Sequence, residues 1–150
     1  VVYEMGTVED NSNKIIYKPT IINGLLGLSI KQICCGGQHA AILTHEGIIH
    51  TWGRGGFGRL GHGKTDTVEY PREVEALKTI KCVQIACGFA YTAAVTNEGI
   101  LYTWGAGENG RLGLGDDEDR HVPSRVSELV PFPIDQVYAG SVHTCVLTKQ

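Results

Sequence analysis

The chain has 150 residues, with 13 Lys+Arg against 16 Asp+Glu and a formal net charge of −3, which excludes a nucleic-acid footprint carried by net charge alone. At 42% hydrophobic and 19% charged it has the apolar material for a packed core and too little self-repulsion to favour disorder. Its 20 glycines, well above average usage of about 7%, point to many tight turns and argue against a helical bundle.

Sliding the sequence along itself gives a gapless register at an offset of 52 residues, and this repeat organises the chain. Residues 1–18 read as the end of a preceding copy, with Val2-Tyr3-Glu4-Met5-Gly6 standing where later copies read Thr-Trp-Gly, followed by a shortened loop. Residues 19–70 and 71–122 are two full copies, and 123–150 begin a third. All four segments are read as parts of one domain.

In the first full copy an apolar run from Ile30 to Cys35 ends in Gly36, and Ile42-Leu43-Thr44 is joined to Ile48-Ile49 through a connection ending in Gly47. That connection predicts a hairpin whose glycine takes the left-handed conformation before the return strand. A glycine-rich loop follows Trp52-Gly53, and a Pro-led extended piece covers Pro71 to Leu77. The second copy repeats the series through Cys82–Cys87, Val95–Leu101, Trp104-Gly105 and Pro123, and the third enters it with Gly140 and His143. The economical count is four strands per copy.

A four-stranded antiparallel unit repeated every 50 or so residues predicts an all-β fold of propeller blades stacked around an axis, a ring that closes with about 4 to 8 blades. The chain supplies about three, an incomplete ring. Small residues at Gly36, Gly88 and Gly140 suit the converging sheets, and Trp52 and Trp104 suit the wider gaps between blades, where an indole N–H would find a carbonyl.

Other chemistry has weaker support. Gly53-Arg54-Gly55-Gly56-Phe57-Gly58 and its counterpart from Gly105 to Gly110 fit a dinucleotide pattern, but the residues that follow are too glycine-rich to open the helix a pyrophosphate needs. No cofactor is expected. Cys34 and Cys35 fall on opposite faces of one strand and cannot easily grip one ion, and His39 and His143 occupy equivalent positions suited to a hydrogen-bonded imidazole, so no metal is expected. No nucleophile with an evident base partner is present, and no catalytic residue is assigned.

The start lacks a basic stretch leading into an apolar one, and no run of about 18 apolar residues occurs, so neither secretion nor membrane insertion is expected. The 5 cysteines are odd in number and contain no C-x-x-C pair, which favours a reducing nuclear or cytoplasmic compartment.

The two glycine-rich loops differ in sign. The first carries Arg54, Phe57, Arg59, His62 and Lys64; the second carries Glu108, Arg111 and the run Asp116, Asp117, Glu118, Asp119. Repeat proteins place specificity in such differences, so Arg54, Phe57, Lys64, Asp116 and Asp117 are the candidate partner contacts. Arg59 and Arg111 recur in register and are read as ties of each loop to its own blade. These loops on a repeated frame suggest a non-enzymatic scaffold that binds a protein through one rim.

Gly-x-x-His-Thr/Ala-x-x-Leu/Val-Thr, then Glu-Gly-x-x-x-Thr-Trp-Gly, then Gly-x-x-Gly-Arg-Leu-Gly-x-Gly and a later Pro-x-x-Val resemble the regulator of chromosome condensation repeat. The resemblance covers residues 19 to 148, with Tyr91 in place of the usual histidine. It implies a seven-bladed propeller and, for founding members, guanine-nucleotide exchange on the small GTPase Ran together with chromatin association. It also admits an adaptor propeller of a HERC-type ubiquitin ligase, whose ligase chemistry would lie elsewhere. No residue matches a motif dedicated to exchange. The light-sensing branch requires a tryptophan cluster, and Trp52 and Trp104 are the only two tryptophans. A Kelch-type propeller is disfavoured because Gly36-Gly37 becomes Gly88-Phe89. Exposed strand edges in an isolated chain predict self-association or pairing with further blades.

Overall fold

The computed structural model describes residues 1–7 and 14–149; the shortened loop expected after Gly6 lies outside them. The described residues form twelve strands in four antiparallel sheets, with short 3-10 turns between them and no α-helix. The first sheet pairs β1 (Tyr3–Thr7) with β2 (Ile15–Ile21). The second runs β3 (Ile30–Cys35), β4 (His39–Thr44), β5 (Ile49–Gly53) and β6 (Val68–Glu73) in sequence order. The third repeats it as β7 (Cys82–Cys87), β8 (Tyr91–Thr96), β9 (Leu101–Gly105) and β10 (Arg120–Arg125), and the fourth pairs β11 (Ile134–Ala139) with β12 (Thr144–Thr148).

The likeness extends to irregularities. The register shifts once in each inner pair, between Ile30 and Gln32, between Cys82 and Gln84, and between Ile134 and Gln136. The hairpins β4–β5 and β8–β9 turn through Gly47 and Gly99 at φ +95° and +78°, and the hydroxyls of Thr44 and Thr96 accept the N–H of Ile48 and Ile100 at 3.2 and 3.1 Å.

Every residue of β8 is buried, as are five of the six in β4. A middle strand covered by a neighbouring sheet on each face has no solvent side, which is why these segments read as apolar runs instead of alternating. Ala41, Leu43 and Ile49 of the second sheet meet Ile85, Ala94 and Trp104 of the third. Val95 and Leu101 meet Ile134 and Val137 across the following seam, and Trp52 fills the preceding one with Ile22 and Leu25.

The outer strands depart from the sequence reading. Pro71 does not lead its strand; β6 begins at Val68 and ends at Glu73, and Glu75–Leu77 is a 3-10 turn. Pro71 falls in the irregular stretch between the pairs Gly53↔Val68 and Thr51↔Arg72, and Pro123 falls likewise between Arg120 and Ser124. An edge strand tolerates a missing N–H inside it wherever the ladder is interrupted. The copy boundary at residues 70 and 71 therefore lies within β6.

Candidate partner-binding face

The links that join β3 to β4 and β7 to β8 lie on the same rim as the glycine-rich loops after β5 and β9. Arg54 N–H donates to the Gln38 carbonyl at 2.8 Å, and Ala106 N–H to the Ala90 carbonyl at 2.9 Å. Trp52-Gly53 and Trp104-Gly105 deliver the chain into these loops, with Gly53 and Gly105 at φ +104° and +110°.

Glycine at 36, 88 and 140 is set by close approach. A Cβ there would fall 2.3, 1.9 and 2.3 Å from the rings of His39, Tyr91 and His143. Each ring lies over the glycine three residues before it, and two of them reach the next sheet. His39 Nε2 lies 2.8 Å from the Thr92 hydroxyl, which donates to the Arg59 carbonyl at 2.8 Å. Thr92 has one proton and gives it to Arg59, so His39 donates through Nε2. Burial, reinforced by the Arg59 charge, lowers the His39 pKa to about 3, and its buried Nδ1 has no partner. One repeat on, Tyr91 donates to the His143 carbonyl at 2.6 Å and lies 2.9 Å from the Thr144 hydroxyl, which donates to the Arg111 carbonyl at 2.7 Å. His143 is itself exposed, with no sheet beyond it among the described residues.

A second set of seam contacts has no counterpart in the sequence reading. Gln32 extends its amide to the next sheet, where Oε1 accepts Ile85 N–H at 2.9 Å and Nε2 donates to the Ile85 carbonyl at 2.7 Å. Gln84 does the same to Val137, at 2.7 and 2.9 Å. Each side chain pairs with the inner strand of the following sheet as another peptide group would. The signal was present, since glutamine recurs at 32, 84 and 136.

Arg59 and Arg111 are 4% and 6% exposed and donate through Nε to Gly56 and Glu108 carbonyls at 2.9 and 2.6 Å, within their own loops. The loops enclose short 3-10 turns, Gly56–Gly58 and Glu108–Gly110, and no α-helix N-terminus stands where a pyrophosphate would need one. Phe57 and Asn109 occupy equivalent positions at φ +62° and +64°, the only non-glycine residues with positive φ among those described. Asn tolerates that conformation; Phe pays for it in steric strain. Phe57 is 51% exposed, and the Arg59 guanidinium lies 5.5 Å from its ring centroid. Arg54 is half-buried and Lys64 exposed.

The acidic loop is organised by a residue absent from the candidate set. Arg120 bridges Asp116 at 2.8 Å and Glu118 at 3.8 Å, and Asp116 also accepts the Glu118 N–H at 2.9 Å. Arg120, with the Glu118 N–H behind it, holds the Asp116 carboxyl below its ordinary range. Asp119 accepts the Gly107 N–H at 3.0 Å, and Asp117 is exposed.

Cys34 packs with Cys87 in the seam while Cys35 is exposed on the other face, and all five thiols are free. Among the described residues no three metal-ligating side chains come together. Trp104 is fully buried, but its Nε1 has no acceptor, contrary to the carbonyl expected from sequence; the indole edge lies against Gly61, where a Cβ would stand 2.8 Å away. No helix among the described residues is long and apolar enough to cross a membrane.

Repeated four-stranded antiparallel sheets, packed face to face and pinned at equivalent seam positions, make this chain part of a β-propeller. Models of the regulator of chromosome condensation (RCC1) repeat match residues 46–95 and 98–147, and in a second form 30–59 and 82–111. The chain belongs to the RCC1 repeat family. It is 39% identical over 141 residues to the ultraviolet-B receptor UVR8 of Arabidopsis thaliana, covering 94% of this chain and 32% of that protein. It is 39% identical over 134 residues to the human E3 ubiquitin-protein ligase HERC2, covering 88% of this chain and 3% of that protein. It is 37% identical over 145 residues to the serine/threonine-protein kinase Nek8 of Danio rerio, covering 97% and 20%. Among solved structures it resembles Prp20p of Saccharomyces cerevisiae, with a TM-score of 0.85 at 23% identity over 97% of this chain and 38% of that one. It also resembles human WBSCR16, with a TM-score of 0.75 at 30% identity, covering 95% and 36%. The chain spans about a third or less of these curated relatives.

Proposed function

We propose that this chain is part of a non-enzymatic protein-interaction scaffold that binds its partners through the rim loops carrying Arg54, Phe57, Lys64, Asp116 and Asp117. The observation that supports it is divergence on a repeated frame. The two loops share a backbone path, down to equivalent positive φ at Phe57 and Asn109, yet one is cationic and aromatic and the other anionic. The relatives add to this reading: a light receptor, a ubiquitin ligase and a kinase match the same stretch at 37–39% identity, so what they share there is not their named activities. The protein carrying this chain works in the nucleus or cytoplasm, and the remaining blades of its ring come from further chain or from another copy.

Replacing Arg54, Phe57 and Lys64 together by alanine is expected to weaken partner binding at least tenfold while leaving the melting temperature within a few degrees, because Phe57 and Lys64 are exposed and Arg54 is only half-buried. The partner is first captured by a photoreactive side chain at position 64 of the whole protein. Unchanged affinity of that partner for the triple variant would overturn the reading.

A second reading is guanine-nucleotide exchange on a Ran-like GTPase, with association to chromatin. It is motivated by the fold shared with Prp20p, whose structure is described together with its binding to Gsp1p and histones. Exchange works by preferring the nucleotide-free GTPase and needs no bond chemistry from the propeller. An unaltered rate of labelled GDP release from Ran in the presence of the whole protein removes this option. A third, an adaptor propeller within a HERC-type ligase, is motivated by the identity to HERC2; a gene lacking a ligase module on either side of this segment removes it.

A further inference from the structure

Two exposed phenylalanines stand on this rim: Phe57, on the loop after β5, and Phe89, on the link between β7 and β8, at 51% and 53% exposure. A continuous run of contacts joins them. The Phe89 ring lies over Gly37, where a Cβ would come within 2.5 Å of it. The adjacent Gln38 accepts Arg54 N–H at 2.8 Å, and its side-chain oxygen lies 3.5 Å from Arg59 Nη1. Arg59 in turn faces the Phe57 ring.

The support beneath Phe57 is rigid. Gly58 packs against His121 of β10, where a Cβ would meet the backbone at 2.4 Å, and Gly63 N–H donates to the His121 carbonyl at 2.9 Å, so a loop from the second sheet is pinned to the third. The aromatic ring is held exposed in a strained backbone state, where the other copy carries Asn109. Strain of this kind concentrates where a protein meets a ligand. The border of the platform is cationic, since the stretch from Arg54 to Thr67 carries Arg54 and Lys64 beside the buried Arg59, against a single carboxylate, Asp66.

We infer that Phe57 and Phe89 form an aromatic platform for a protein segment of acidic and apolar composition, its apolar side chain on the rings and its carboxylates against Arg54 and Lys64. The inference rests on the rim-loop reading and specifies the partner. The carboxylates of the neighbouring loop, Asp116 to Asp119, set the direction, because they repel the acidic end and keep it over the second sheet.

The test uses the whole protein and two fluorescein-labelled synthetic peptides, Glu-Asp-Leu-Leu-Asp-Glu and its charge-inverted form Lys-Arg-Leu-Leu-Arg-Lys, followed by fluorescence polarisation. The acidic peptide is expected to bind at least tenfold more tightly, and more weakly as salt rises. Phe57→Asn and Phe89→Ser place residues that the chain already carries at the equivalent positions Asn109 and Ser141, so both variants keep the backbone; each is expected to weaken the acidic peptide at least tenfold. Equal or absent binding of the two peptides, or indifference to either variant, overturns the inference. If the captured natural partner is still lost from the triple alanine variant while the acidic peptide fails, the rim-loop reading stands and only the acidic-apolar chemistry falls.

Discussion

His39 and Thr92, 53 residues apart, meet across a seam at 2.8 Å, and the threonine passes the contact on to the Arg59 carbonyl. One hydroxyl thus ties the link of one sheet, the rim loop of the same sheet and the middle strand of the next. Thr92→Val keeps the shape and removes the bridge, leaving the buried His39 N–H and Arg59 carbonyl without it. We expect a loss of about 2 kcal/mol, read from urea denaturation midpoints at constant m-value. A loss below about 0.5 kcal/mol would mean that the Thr92 bridge adds nothing net to the seam.

The same histidine makes stability depend on pH. Its folded pKa is about 3, against 6.5 for an unperturbed imidazole, so between those values the unfolded chain binds a proton that the folded chain does not. Stability from this group is fully present above pH 6.5 and declines as pH falls, with a slope approaching about 1.4 kcal/mol per unit. His50 and His62, both lowered chiefly by burial, add in the same direction. His39→Tyr, the residue found one repeat on, removes one titration, and the difference between the two pH profiles isolates it.

Gln84→Leu deletes both hydrogen bonds to Val137 and leaves the Val137 N–H and carbonyl to find water. The expected cost is about 1–3 kcal/mol, with faster amide exchange at Val137 than at the neighbouring amides of β11. Exchange that accelerates equally over the whole chain would point to global destabilisation without a local latch.

Gly88→Ala forces a Cβ to within 1.9 Å of the Tyr91 ring, whose hydroxyl is anchored at His143. Ring and backbone cannot both yield, and a loss of about 3 kcal/mol or more is expected. A near-neutral result in thermal melting would show that the ring can leave its glycine.

Phe57→Asn is expected to stabilise the protein by roughly 1 kcal/mol, since asparagine accepts the left-handed backbone that phenylalanine resists. A binding surface kept at the expense of stability gives that sign; a destabilised variant would show the Phe57 ring contributing to folding through its contact with Arg59.

The repeat at 52 residues made much of the fold legible: the apolar runs marked the strands, and Glu-Gly placed a hairpin turn, whereas the ring of His39 over Gly36 emerged only from the structure. Pro71 misled about where its strand begins, because a proline tolerated inside an interrupted edge ladder looks in sequence like one that starts a strand. The rim was partly legible as opposite charge between copies, while Arg120 was not, since its capture of Asp116 depends on how β10 leaves the loop.

What the linear order of residues determined by itself was everything governed by near neighbours: strand runs, hairpin glycines and the equivalence of one copy to the next, because backbone sterics and hydrophobic period act over a few residues. Only the packed sheets decided what crosses the seams. Gln32 reaching Ile85, Thr92 serving His39 and Arg59, and Trp104 sealed without an acceptor all depend on the angle and spacing at which two sheets meet, and no local pattern encodes those.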